Sequence, residues 1–419
     1  MEGFPYRHQK FVLNNCLALE STDGKNVIVY DTETNTRMKI SCRLYELMTE
    51  FREPRTFVEV MDEQFLQSLQ GTLERLLDVG FLLDMSKKRL PLPKPETQLA
   101  TVFPTMFRAP FRTPGQSPAD IAIVGVPYDG GNLVSAGMRD APRELRKKTG
   151  SDQEYRVDFA TGKPMGWFDV DNLERLLEGV TMSDWGDVRF TYGETPDAIF
   201  ERIGSICSEI LREGSFPAFI GGDHSISYPI VQALQQNQEI QIVWFDAHTD
   251  YGDLLPGICN NHKNVVRRIF TLPNVKRVIN IGHRGYTSSD KVNLRPAKFS
   301  MVTAEQVRNG GEYRVLQALD PDLPCYISID IDVLDPIYAP GTSTPVPSGL
   351  TPRELKTLLR AIGANHQVVG CDLVEVNPAY DPSPLTVIQA YHLFTVCLGA
   401  CVRSKNIEKN LEMITKTGV

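Results

Sequence analysis

The sequence predicts an α/β domain built on a parallel sheet, preceded by a small α+β unit whose element order is winged-helix-like. Three observations carry this. From Asp120 onward, short apolar runs alternate with amphipathic helical stretches, the pattern of strands buried on both faces and joined by crossovers. Residues 1–84 instead place β-prone runs first and helices after them. Between the two, residues 85–118 hold Pro91, Pro93, Pro95, Pro104, Pro110, Pro114 and Pro118, the composition of a semi-extended linker laid along a surface. A chain of 419 residues has room for two domains, here 1–84 and 119–419.

In the first unit, Phe11 to Glu20 and Asn26 to Tyr30 are β-prone runs separated by the turn signal Ser21-Thr22-Asp23-Gly24. A third run, Arg37 to Ile40, follows Asp31-Thr32-Glu33-Thr34-Asn35. Ser41 stands where a helix N-cap would, ahead of Leu44, Leu47, Met48 and Phe51 at helical spacing. A short helix is expected over Phe57 to Met61. A longer one carries Phe65, Leu66, Leu69, Leu73, Leu76 and Leu77 and ends at Gly80. Winged-helix order raises the question of DNA, and charge answers it. Residues 1–84 hold nine Lys/Arg against fourteen Asp/Glu, and the whole chain carries a formal charge of -8. A nucleic-acid partner needs phosphate neutralisation, which this balance does not offer. The triplet Lys87-Lys88-Arg89 reads as a solvated start to the linker.

The parallel-sheet strands are expected at Ile121–Val126, Pro217–Ile220, Ile242–Phe245, Val278–Ile281, Cys325–Ile331 and Val368–Leu373. Helices are expected at Pro196–Glu213, Ser227–Gln235, Thr351–Ile362 and Thr386–Val402. The loop Gly125-Val-Pro-Tyr-Asp-Gly-Gly131 lacks the dinucleotide fingerprint and reads as a turn. No apolar run approaches the roughly 20 residues that cross a bilayer, so no membrane partner is expected. Met1 to Gln9 lacks a signal-peptide apolar region, and the eight cysteines are scattered without a Cys-x-x-Cys pair. Both features fit a reduced, cytoplasmic protein.

Four strand ends finish in polar groups. They are Gly221-Gly-Asp-His-Ser225, Asp246-Ala-His-Thr-Asp250, Asp330-Ile-Asp332 with Val333-Leu-Asp-Pro336, and Glu375-Val-Asn-Pro378. One Asp or His at a strand end is usually a cap or turn former. Four coincident ends, two with acidic residues at i and i+2, point instead to a shared site where open α/β sheets bind ligands. Alternate residues of an extended segment share a face, so Asp246, His248 and Asp250 are expected to converge. Such a group strands buried charge unless a cation sits among them. The set His224, Asp246, His248, Asp250, Asp330 and Asp332 is rich in oxygen and free of thiolate, which suits Mn2+ or another hard divalent ion. Four carboxylates are too many for one open catalytic cation, whereas two bridged cations absorb the charge and activate a hydroxide. Glu375 adds an anion that can hold a cationic substrate group.

At these residues the chain resembles the ureohydrolase family, the arginases and agmatinases. The matching motifs are Gly-Gly-Asp-His-Ser (221–225), Asp-Ala-His-Thr-Asp (246–250), Ser-Ile-Asp-Ile-Asp-Val-Leu-Asp-Pro (328–336) and Glu-Val-Asn-Pro (375–378). Val124-Gly-Val-Pro-Tyr-Asp and Gly137-Met-Arg-Asp-Ala-Pro142 look like the family's first strand and following loop. The resemblance spans about 120–405. It implies a three-layer α/β/α fold, two Mn2+ ions, and hydrolysis of a guanidine group to urea and an amine. It also implies that His224, Asp246, Asp250 and Asp330 hold one metal and Asp246, His248, Asp330 and Asp332 the other. Asp250 would in addition accept a hydrogen bond from the bridging hydroxide, and Glu375 would align the guanidinium. His262 falls where arginases carry a proton-shuttling His-Gly, here followed by Lys263. Family members are often trimers or hexamers, so a homo-oligomer is an expectation too.

Two departures bear on the substrate. Arginases place an asparagine two residues after Asp-Ala-His-Thr-Asp to bind the free amino acid, whereas this chain has Gly252 and then 253–261 without the usual polar clamp. Free arginine is therefore disfavoured. The first unit is the other departure: its element order, with Ile40-Ser-Cys-Arg-Leu-Tyr-Glu-Leu-Met48 and Leu73-Glu-Arg-Leu-Leu-Asp-Val-Gly-Phe-Leu82, resembles PqqD-like peptide-recognition domains. These take a leader peptide as an added strand, here on the edge Arg37, Met38, Lys39 and Ile40, facing the helix from Phe65 to Leu77. The leading expectation is a peptide arginase that converts arginine side chains of a ribosomally made precursor peptide to ornithine. The alternatives are a small-molecule ureohydrolase acting on agmatine or a guanidino acid, and a non-catalytic peptide-binding protein on the same scaffold.

Overall fold

A computed structural model describes residues 9–13, 17–22, 25–31, 37–52, 54–79, 81–85, 98–112, 117–132, 135–152, 155–158, 160–191, 194–252, 260–285 and 298–417. The turns at 23–24 and 32–35, Gly80, the basic triplet 87–89, the prolines at 91–95 and 114, and the loop 253–259 lie outside the described residues.

The first unit runs β1 (Lys10–Leu13), β2 (Leu17–Thr22), β3 (Asn26–Asp31), β4 (Arg37–Ser41), α1 (Cys42–Thr49), β5 (Arg55–Thr56), α2 (Phe57–Val60), α3 (Glu63–Asp78) and β6 (Leu82–Asp84). Ser41 caps α1, its side chain accepting from the Leu44 N–H. The order is not three strands followed by three helices. The stretch Phe11 to Glu20 belongs to two strands in different sheets, β5-β1-β6 and β2-β3-β4. The aromatic core explains why β1 joins the former: Phe11 is fully buried and its ring stacks on Phe57 at 4.4 Å, with Phe51 edge-on to Phe57 at 5.2 Å. β5 and β6 are too short to show a period in the sequence. Ile40 of β4 shares this core with Leu66, Leu73 and Leu76 of α3.

The second unit continues β7 (Leu99–Ala100), β8 (Ile121–Val126), α4 (Ala141–Asp152), β9 (Trp167–Asp169), β10 (Glu174–Leu176), β11 (Met182–Val188), α5 (Pro196–Glu213), β12 (Phe216–Gly221) and α6 (Ser227–Leu234). There follow β13 (Ile240–Phe245), α7 (Val265–Ile269), β14 (Val275–His283), β15 (Phe299–Thr303), α8 (Ala304–Leu316), β16 (Cys325–Asp330), α9 (Pro352–Asn365), β17 (Val368–Val374) and α10 (Leu385–Thr417). Among the described residues, nine strands form one sheet in the order β15-β14-β13-β16-β17-β12-β8-β11-β7. All neighbours are parallel except β7, which pairs antiparallel with β11. One face, with Val243 and Phe245 of β13, packs against α4, α8, α9 and α10. The other, with Ile242 and Trp244, packs against α5, α6 and α7. The result is three layers, helix on sheet on helix. Each fully buried Ile, Val or Phe contributes about 1.5–3 kcal/mol. The one polar side chain in β13, Gln241, is satisfied by donating to the carbonyls of Asp320 and Leu323.

Three stretches differ from expectation. β11 has the polar sequence Met-Ser-Asp-Trp-Gly-Asp-Val yet lies inside the sheet, because the buried Arg146 guanidinium pairs with Asp184 at 2.8 Å and with Asp187. Residues 98–112 are more than a spacer. They supply β7, bury Met106 and Phe107 completely, and anchor the Met106 N–H on Asp184 at 2.6 Å. Within α10, Leu385–Val402 is long and apolar enough to cross a membrane by composition, contrary to the reading of the sequence, but 78% of it is buried in the fold against α4, α9 and β17.

Candidate functional site

The four polar strand ends belong to β13, β16, β17 and β12, which are consecutive at the centre of the sheet. Their side chains meet at its carboxyl edge. They do so by turns, not by the alternation expected, because β13 stops at Phe245 and β16 at Asp330. At three of the four turns an aspartate carboxylate accepts the N–H two residues on: Asp223 from Ser225 at 2.9 Å, Asp246 from His248 at 2.5 Å, Asp330 from Asp332 at 2.9 Å. This local bond lets the chain leave the strand sharply and turns the next polar side chain inward. Two site residues pay in backbone strain, Asp250 at φ 45° and Glu375 at φ 61°, a left-handed geometry costing about 1–3 kcal/mol that persists where surroundings enforce it.

All six predicted ligands come together in two adjoining sets. His224 Nδ1 lies 3.3 Å from Asp246 Oδ2, 3.2 Å from Asp250 Oδ2 and 3.2 Å from Asp330 Oδ2. His248 Nδ1 lies 2.9 Å from Asp332 Oδ2 and 3.4 Å from Asp246 Oδ1. Asp246 therefore presents one oxygen to each set. Asp330 uses its second oxygen to hold the Asp332 N–H.

The tautomer of His224 follows from its other side. Ser328 Oγ donates to Asp372 Oδ1 at 2.6 Å, so it accepts from His224 Nε2 at 2.8 Å. Asp372 is itself held by Tyr326 and Ser227. That leaves Nδ1 as a lone pair aimed at three carboxylates, buried and forming no aligned hydrogen bond among the described residues. A lone pair facing anions is repulsive unless a cation lies between them, so these residues fit a metal ion. Trp244 locks the ring further, stacking on His224 at 3.9 Å and donating to Asp246 Oδ2 at 2.9 Å.

Without metal, protons take the cations' place. Burial opposes charge on His248 most strongly, yet its bonds to Asp246 and Asp332 prevail and push it up to about 12. Burial works against a charged His224 as well, but the carboxylates of Asp246, Asp250 and Asp330 facing Nδ1 raise it well above the usual imidazole range. Burial and the charge of Asp246 lift Asp250 to about 6, and burial with the charges of Asp332 and Asp246 raises Asp330 well above the usual carboxylate range.

Beside this centre, Glu375 Oε1 accepts from the His224 N–H at 2.9 Å and lies 3.2 Å from His262 Nδ1. Its Oε2, and His262 Nε2, are buried with no partner among the described residues. Two polar atoms are thus left open next to the carboxylate cage. Gly252 approaches the Lys263 carbonyl so closely that an added Cβ would sit 2.6 Å from it, which leaves no room for a side-chain clamp without movement of that backbone. The predicted peptide-binding residues belong to the first unit: Ile40 is buried, Met38 half-buried, and Arg37 and Lys39 exposed along β4.

Ser328, Asp372, Trp244 and Asn280, which donates to the His248 carbonyl at 2.9 Å, are supports that motif reading passed over. Their signal was present, since a polar side chain inside an apolar central strand needs a buried partner. A second cluster, Cys371, Cys397 and Cys401, is fully buried between β17 and α10, where the thiols pack as small apolar groups.

The Arginase family pattern matches residues 119–399. The mitochondrial agmatinase of Gallus gallus is 36% identical over 286 residues, covering 65% of this chain and 78% of its own length. The mitochondrial guanidino acid hydrolase of Homo sapiens is also 36% identical over 286 residues, covering 65% and 76%. The structure of the proclavaminate amidino hydrolase from Streptomyces clavuligerus superposes with a TM-score of 0.59 at 28% identity, covering 74% of this chain and 99% of that one.

Proposed function

This chain belongs to the arginase family, and we propose that it is a dimanganese ureohydrolase that splits a small guanidino compound, agmatine or a guanidino acid, into urea and an amine. The observation that carries the proposal is the pair of unpartnered atoms, Glu375 Oε2 and His262 Nε2, beside two adjoining sets of hard ligands. Two Mn2+ ions held by the His224 and His248 sets would activate water for attack. Glu375 binds the guanidinium by charge-assisted hydrogen bonds and fixes its carbon toward the metal ligands. Water gives one proton to Asp250 as its oxygen bonds to that carbon, the bond to the alkyl nitrogen breaks, and His262 supplies that nitrogen with a proton from Nε2 as it leaves. The second water proton returns to His262 as the urea carbonyl forms, and the proton on Asp250 passes to the released amine. The Ser328–Asp372 chain and Trp244 keep His224 in the ligating tautomer throughout.

The relatives named for agmatine and guanidino acids support this small-molecule reading over the peptide arginase ranked first from the sequence. The crowded Gly252 supports it equally against free arginine. One observation favours the peptide as a second reading. β4 is an edge of the sheet β2-β3-β4, and an extended precursor leader could add there along Arg37, Met38, Lys39 and Ile40. Urea release by the full-length, Mn-loaded protein distinguishes them, with agmatine, 4-guanidinobutyrate, free arginine and an arginine-containing peptide supplied in parallel. The small guanidino compounds are expected to exceed free arginine by about 100-fold or more in kcat/KM, the scale set by unpaired polar groups in a site not built for them. Turnover of the peptide alone would replace the first reading with the second.

A further inference from the structure

We infer that Arg284 is the positioning residue for the Asp332 half of the site, and that it sets the affinity of the metal position His248 and Asp332 share. This rests on the dimetal reading above.

Arg284 follows directly on β14 and reaches across the end of the sheet. Its Nη2 donates to the carbonyls of Asp332 at 2.6 Å, Leu334 at 3.0 Å and Val346 at 2.6 Å. Nη1 donates to Val333 at 3.1 Å and Gly282 at 3.2 Å, and Nε to Val346 at 3.0 Å and Pro347 at 3.2 Å. Every one of these acceptors is a main-chain oxygen. Apart from Gly282, which lies in β14 itself, they come from the turn carrying Asp332 and from the loop that returns past it. Between the two, Thr344 Oγ1 stands 3.4 Å from Asp332 Oδ2.

The Arg284 N–H also donates to the carbonyl of Ala247, the residue between Asp246 and His248, at 3.2 Å. The Ala247 N–H in turn donates to Asp332 Oδ1 at 3.0 Å. One residue thereby ties together the backbone on both sides of the His248–Asp332 pair. Gly282 makes the approach possible. Its φ is +99°, and a Cβ there would lie 2.5 Å from Val333 Cγ2.

The hydrogen bonds given above tie neither His224 nor Asp250 to Arg284. His224 has its own support in Ser328 and Asp372. The two halves of the site thus have separate anchors, which makes the inference selective. A planar guanidinium with five fixed donors can serve two carbonyl-lined segments at once. A lysine has three donors on a flexible stem and no plane.

The test compares wild type, R284A and R284K, measuring Mn2+ stoichiometry and affinity together with the electron paramagnetic resonance spectrum. Wild type is expected to bind two ions with a spin-coupled spectrum. R284A is expected to keep its first ion at unchanged affinity and to bind the second about 10–100-fold more weakly, the usual cost of losing an outer support. The hyperfine sextet of an isolated Mn2+ should then replace the coupled signal. R284K should fall between them, and it decides the matter should R284A fail to fold. Equal weakening of both ions, or of neither, overturns the inference. A readout free of metal separates this from failure of the dimetal reading. In the metal-free protein, amides at 331–335 and 342–348 should exchange hydrogen faster in R284K than in wild type, while 221–227 should not change. Unchanged exchange in the first two segments overturns the role of Arg284 whether or not the wild type binds manganese.

Discussion

Replacing Glu375 with glutamine lowers kcat/KM for guanidino substrates by about 10²–10³-fold and leaves metal content at the wild-type level. Glutamine keeps the shape of the side chain and an oxygen for the His224 N–H, whose bond to Glu375 is 2.9 Å. What it removes is the negative charge at an oxygen that is buried and has no partner among the described residues. Breaking a buried, hydrogen-bonded charge pair costs about 2–5 kcal/mol, and about 1.4 kcal/mol is a decade in rate. Urea release and elemental analysis on one preparation check both halves of the statement. A variant within a fewfold of wild type would reduce Glu375 to a salt-bridge partner of His262.

The second large effect is on the metal centre. Asp246 offers Oδ2 to the His224 set and Oδ1 to the His248 set, 3.3 Å and 3.4 Å from the two imidazole nitrogens. Asparagine retains a single neutral oxygen, so in Asp246→Asn one set loses its shared anion and the other receives a weaker donor. The loss corresponds to about 3–5 kcal/mol, or on the order of 10²–10⁴-fold in affinity for the ions. Manganese content after dialysis should fall well below wild type and urea release should vanish with it. The fold should remain by circular dichroism, because the bond of residue 246 to the neighbouring strand, its N–H donating to the Ile281 carbonyl at 3.0 Å, is a main-chain one that asparagine keeps. Full manganese retention by this variant would mean that Asp246 does not bridge.

The fold of the second unit was legible because parallel strands buried on both faces are written as continuous apolar runs. Ile240–Phe245 and Cys325–Asp330 are fully buried along their length. β11 was not legible for the converse reason. Asp184 and Asp187 look like surface residues until Arg146, distant in sequence, is seen to neutralise them inside the domain. In the first unit the stretch from Phe11 is shared between two sheets because Phe11 stacks on Phe57, a tertiary preference that local pattern does not encode.

The candidate site divides along the same line. The identities of the six ligands stood in the motifs. Their convergence was foreseen for a reason the structure replaces, since aspartate-capped turns bring Asp246, His248 and Asp250 together after the strand has ended. Asp372 behind Ser328 is marked in the sequence only as a polar residue inside an apolar strand, with its partner far along the chain, and Arg284 on a ring of carbonyls had no reading there because its partners are main-chain atoms.

The central claim is that two cations occupy the cage, one facing His224 and one facing His248. Calorimetric titration of Mn2+ into the metal-free protein, at about pH 7.5 and again at about pH 5.5, tests it most directly. His248, pushed up to about 12, holds a proton at both pH values, His224 and Asp330 are raised above their usual ranges, and Asp250, lifted to about 6, takes on a proton as the pH falls from one to the other. Protons and cations compete for the same atoms, so the prediction is two ions per chain, proton release on binding, and affinity that falls as the pH is lowered. A stoichiometry of one or none, or binding indifferent to pH, would contradict it.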